Sequence, residues 1–98
     1  MLESNIEIPE DVNAAVLIDA VERVCHAHSL NCTLKGTLVK YPGSVHWHFQ
    51  KAKQKGTLEI TWWENKNRLW FKVAEDRTGT WIEESMIEIK KEIQKLLG

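Results

Sequence analysis

From Val45 to Val73 the apolar side chains recur at every second residue in three runs: Val45, Trp47 and Phe49; Leu58, Ile60 and Trp62; Leu69, Phe71 and Val73. A period of two makes each run a two-sided strand, because successive side chains leave a pleated backbone on opposite faces. Three such runs in succession demand a sheet with one apolar face, and that face must be covered.

The flanking segments supply the cover, since their apolar period is that of a helix. Pro9, Glu10 and Asp11 suit a first helical turn, and Leu17, Ile18, Val21, Val24 and Cys25 follow at steps of three and four, with Asp19, Glu22, Arg23 and His26 on the other side. This predicts a helix over residues 9–29. Thr80 and Glu83 have the spacing of a capping box, and Ile82, Met86, Ile89, Ile93 and Leu96 form one stripe, which predicts a second helix over 80–97. Trp81 and Ile87 fall off that stripe.

Between the helices, residues 33–74 read as four strands, 33–41, 44–50, 57–63 and 68–74, joined as a meander. Pro42 and Gly43 form a turn that sets Tyr41 opposite Ser44, because proline presets its own φ and glycine accepts the positive φ that follows. Residues 64–67 close a hairpin that sets Trp63 opposite Arg68, and Lys51 to Gly56 make the middle loop, with Gln50 opposite Thr57. In this register Leu34 and Leu38 join the three apolar runs on the inner face. The outer face then carries Thr37, His48, Glu59 and Lys72 in one row; Val39, His46, Thr61 and Trp70 in the next; and Tyr41, Ser44, Trp63 and Arg68 in the third. The expected fold is a single α+β domain over 1–98: a two-layer sandwich of helix, four-stranded antiparallel meander and helix, with both helices on one face and residues 1–8 as a flexible N-terminal segment.

Charge is distributed unevenly. Residues 31–73 hold eight basic side chains against Glu59 and Glu64, a net +6, whereas residues 1–30 hold six acidic against one basic, and residues 74–98 six against four. A basic centre between acidic flanks points to anionic or acidic partners. Two cysteines are too few for a disulfide framework and fit a reducing compartment; the acidic start lacks the pattern of a signal peptide, and no apolar run reaches membrane-spanning length. A cytoplasmic location without a membrane partner is the expectation.

The outer face is the candidate site. Tyr41, Trp63 and Trp70 beside Arg68 and Lys72 are residue types enriched at protein interfaces, so the first reading is a non-enzymatic interaction module that forms a homodimer or docks a partner protein. The same rings could stack unpaired bases, with phosphates held by Lys40, Lys72, Arg68 and an anion-binding loop of Lys51, Lys53 and Lys55; single-stranded nucleic acid is therefore the alternative. The helix, sheet, helix order is shared with double-stranded RNA-binding domains, but Thr78, Gly79, Thr80 and Trp81 open the last helix without that family's lysine cluster, and no family is assigned.

A second alternative rests on His46, His48 and Glu59. The two imidazoles alternate with Trp47 and project from one face, with Glu59 opposite His48, a set able to hold a divalent ion and support hydrolysis. Lys72 beside Glu59 argues against it by neutralising the carboxylate. Cys25, His26, His28 and Cys32 form another cluster, yet Cys25 belongs to a buried stripe and His26 faces away from it. The expectation is accordingly no cofactor, no resident metal ion and no catalytic residue; scattered glycines offer no phosphate loop, and nothing orients Ser44 and His46 as a nucleophile and base.

Overall fold

A computed structural model describes residues 2–98. Strand β1 spans Leu2–Ile6, helix α1 Ala14–Ala27, β2 Leu30–Gly36, β3 Val45–Lys51, β4 Leu58–Trp63, β5 Arg68–Val73 and helix α2 Thr80–Leu97, with short 3-10 turns at Glu64–Lys66 and Glu75–Arg77. The five strands form one antiparallel sheet in the order β1-β5-β4-β3-β2. Both helices contribute to the core that covers its inner face, and no described helix is long and apolar enough to cross a membrane.

The centre of the sheet follows the alternation. Trp47, Phe49, Leu58, Ile60, Trp62, Leu69, Phe71 and Val73 are all buried against Leu17, Val21 and Val24 of α1 and Ile82, Ile89 and Ile93 of α2. Phe49 pairs with Leu58 and Trp63 with Arg68, which is the expected register.

The edges depart from it. Residues 1–8 were expected to be a flexible segment; instead Leu2–Ile6 is a fifth strand on β5, with Glu3 opposite Lys72 and Asn5 opposite Trp70. Its adhesion is partly electrostatic, since Arg68 donates from Nη2 to Glu3 Oε1 at 2.9 Å and from Nε to Asn5 Oδ1 at 3.1 Å. The acidic flank thus folds back onto the basic centre, and the charge asymmetry of the sequence is reduced in space.

At the other edge the register shifts by three residues. Leu34, not Thr37, lies opposite His48, and Gly36, not Val39, opposite His46, with a bulge between Cys32 and Leu34. An odd shift exchanges the faces. Leu34 therefore points outward and is 47% exposed, while Lys35, opposite Trp47 on the edge strand and itself exposed, reaches Glu22, which accepts from Lys35 Nζ at 2.6 Å and from Trp47 Nε1 at 2.9 Å. The cause lies in residues 37–44, which leave the sheet: the Tyr41 and Ser44 amides donate to the Leu38 and Tyr41 carbonyls at 3.0 Å, and the Leu38 amide to Ser44 Oγ at 3.2 Å. The Pro42-Gly43 turn forms, with Gly43 at φ +81°, but as the tip of a folded strap and not as a two-strand hairpin.

Helix α1 begins five residues later than expected, whereas α2 has the expected span of Thr80–Leu97 but a different cap. Asn13, whose Oδ1 accepts from the Val16 amide at 3.1 Å, caps α1, and Pro9 to Val12 forms a preceding turn. In α2 the cap is Gly79 and no capping box forms. A Cβ at Gly79 would lie 1.9 Å from the Lys55 carbonyl oxygen, which also accepts from Trp81 Nε1 at 2.8 Å; the middle loop is pressed so closely onto the helix start that only glycine fits. That contact buries Trp81, while Ile87 and Leu96 are exposed, so Leu96 drops out of the expected stripe.

Candidate metal centre

Three side chains converge on the outer face because of strand geometry. Trp47 is drawn into the core, which forces its neighbours His46 and His48 onto the opposite side of β3. The ladder with β4 then sets Thr61 beside His46 and Glu59 beside His48. His46 Nε2 and His48 Nε2 stand 3.0 Å apart, and Glu59 Oε1 lies 3.4 Å from the first and 3.7 Å from the second. The imidazole centroids are 4.9 Å apart at an interplanar angle of 76°, so the rings converge at their Nε2 edges and do not stack.

Burial and hydrogen bonding preset this trio. The side chain of His46 is 6% exposed, that of Glu59 13% and that of His48 19%. His46 is held below the ordinary imidazole range, first by burial and then by His48, with Glu59 pulling the other way and Lys72 adding to the depression. Its Nδ1 is 2.7 Å from the hydroxyl of buried Thr61. With that hydroxyl accepting from Nδ1–H, Nε2 carries the free lone pair, which is the outer hydrogen bond that orients metal-binding histidines.

The donor set fits a small divalent ion. Bond lengths of about 2.0–2.1 Å in a tetrahedral sphere put neighbouring donors roughly 3.3 Å apart, and the three separations found here bracket that value. Among the described residues this is the group of three whose donor atoms all lie within 4.8 Å of one another. Lys72 flanks Glu59 across the ladder, as expected, and its charge is felt at His46, but the pair is not within salt-bridge distance and the two histidines are the partners within 4 Å of the carboxylate.

The aromatic residues are placed elsewhere on this face and pack on one another, with Trp70 buried and Tyr41 and Trp63 half-buried. Tyr41 packs edge-on against Trp63 and Trp70 at centroid distances of 4.9 and 5.2 Å, Trp63 Nε1 donates to the Pro42 carbonyl at 3.0 Å, and the Arg68 guanidinium lies 4.2 Å from the Trp70 ring centre. Trp70, expected to be exposed, is only 3% exposed. The strap and β1, the two features that alternation did not reveal, close over it. Lys40 sits over the outer side of Tyr41, 5.9 Å from the ring centre.

The basic loop is separate from these rings. Lys51 ends β3 and is half-buried, while Lys53 and Lys55 are exposed and border a cavity at the start of α2 together with Glu83. Nor does the cysteine and histidine cluster converge. Cys25 is buried, its thiol pushed up to about 12 by burial first and then by Cys32 and Glu22, and His28 pairs with Glu92 of α2. Sequence reasoning did not identify Thr61 as the group orienting His46 or Gly36 as its neighbour; the β3–β4 register could have indicated the first, but the second depends on the bulge.

A scan of protein-family models and searches of curated proteins and solved structures return no match to this chain.

Proposed function

We propose that the protein is a small binding domain for a divalent transition-metal ion, zinc foremost, held by His46 Nε2, His48 Nε2 and Glu59. The single observation that carries this reading is the convergence of those three donors at 3.0, 3.4 and 3.7 Å, with His46 already oriented by Thr61. Two imidazoles and one carboxylate suit zinc, copper(II) or nickel(II) and disfavour magnesium and calcium, which require more oxygen donors. Three protein ligands leave a coordination position open. No reaction is assigned, because the carboxylate best placed to move a proton is itself a ligand; the domain is proposed as a non-enzymatic binder. Two free cysteines support a reducing, cytoplasmic setting as part of the same proposal.

This reading stands ahead of sheet-face association and of single-stranded nucleic acid because Trp70, Tyr41 and Arg68 are engaged within the chain.

Calorimetric titration of the chelator-treated full chain with zinc tests the proposal. One equivalent should bind, and His46→Ala, His48→Ala and Glu59→Gln should each weaken binding by at least about tenfold. Absence of stoichiometric binding, or binding indifferent to all three substitutions, would overturn it.

A further inference from the structure

Gly36 stands opposite His46 across the β2–β3 ladder, and a Cβ built on it would meet nothing within 4 Å. Its φ is not among the positive values of this chain, so the backbone does not require glycine there. The missing side chain instead leaves open space beside the imidazole. A cleft of about 380 Å³ occupies that space, lined by the Leu34–Leu38 segment, Lys35 included, and by both histidines. Its size is in the range of small-molecule sites.

The walls and the head of this cleft differ in chemistry. Leu34 and Leu38 provide an apolar wall, and Leu34 is 47% exposed, a large apolar side chain left in water beside two ionisable ones. Glu59 does not line the cleft, so the approach to the metal centre runs along the imidazole side. A divalent ion held by one carboxylate and two neutral imidazoles keeps one net positive charge, and Lys72 adds another nearby. A largely apolar cleft bordered by the two imidazoles of a cationic centre matches a small amphiphilic anion.

We infer that the cleft takes the hydrocarbon chain of a small aliphatic monocarboxylate, whose head group completes the coordination of the ion. This rests on the metal-binding reading above. The carboxylate oxygen is an ordinary ligand for zinc and its relatives, and the chain replaces water on Leu34 and Leu38 in the space that Gly36 leaves.

The test uses the full chain loaded with cobalt(II), whose visible absorption responds to a new ligand, titrated with acetate and with hexanoate. Hexanoate should bind at least about tenfold more tightly, since several methylenes leave water. Gly36→Val, which fills the cleft, and independently Leu34→Ser, which removes its wall, should abolish that preference while leaving cobalt affinity within about twofold. Equal affinity for the two acids, no binding of either, or a chain-length preference that survives both substitutions would overturn the inference. Failure of the unaltered chain to bind cobalt would instead overturn the metal centre itself.

Discussion

His46 Nε2 lies 3.0 Å from His48 Nε2, a contact between two imidazoles that cannot survive when both are protonated. Burial, His48 and Lys72 hold His46 below its ordinary value of 6.5 against the pull of Glu59. The folded state therefore binds fewer protons at this group than the unfolded chain. Its contribution to stability is fully present above the unfolded value and is lost as pH falls below it, towards the depressed folded value. We expect the urea midpoint of the metal-free protein to decline from about pH 7.5 to about pH 5, and the decline to be smaller in His46→Gln. An identical acid limb in the two proteins would contradict the neutral, buried state of His46.

Trp47 and Trp70 lie on opposite faces of the sheet and are both buried. Truncation should be costly at each, about 3–5 kcal/mol for Trp47→Ala and about 3 kcal/mol or more for Trp70→Ala. Chemical denaturation of the two variants checks this. A near-neutral Trp70→Ala would mean that the strap does not hold Tyr41 over the ring.

The fate of those two tryptophans marks what the sequence makes legible. Alternation through β3, β4 and β5 places every side chain there on its correct face, because a one-residue slip would expose a whole apolar set. The β2 register is not legible: Leu34 and Leu38 share a parity that suits either face, and the bulge at Cys32 and Leu34 decides between them. Strand β1 is hidden for another reason, since only Ile6 of Leu2–Ile6 is deeply buried and its tie to Arg68 through Glu3 spans most of the chain. The trio of His46, His48 and Glu59 can be read from spacing, but not the side-chain rotations that bring its donors together, nor the Thr61 hydroxyl that fixes one of them.

Glu22 joins helix to sheet by accepting from Trp47 Nε1 and from Lys35. Burial opposes its ionisation, yet the hydrogen bonds from Lys35 and Trp47, with the charge of Lys35, together hold its carboxyl below the usual range. Glu22→Ala should cost about 1–3 kcal/mol by leaving a buried indole N–H without its acceptor, and Glu22→Gln, which retains an acceptor oxygen, should cost less. Equal losses in thermal unfolding would show that the charge, and not the hydrogen bond to Trp47, dominates.

Gly79 and Gly36 make opposite demands on an added methyl group. At Gly79 it would meet the Lys55 carbonyl oxygen at 1.9 Å, whereas at Gly36 it would meet nothing within 4 Å. Gly79→Ala should destabilise by about 1–3 kcal/mol or more as the middle loop is pushed from α2, and Gly36→Ala should be neutral or slightly stabilising. Melting temperatures of the pair provide the check; comparable losses would contradict the loop contact.

X-ray absorption at the zinc edge of the zinc-loaded full chain tests the central claim most directly. The account predicts one retained zinc surrounded by nitrogen and oxygen donors at about 2.0–2.2 Å, with the scattering pattern of two imidazoles and no sulfur. A sulfur shell at about 2.3 Å would place the ion on Cys25 or Cys32, and a protein that retains no zinc would have no such centre; either result would contradict the assignment to His46, His48 and Glu59.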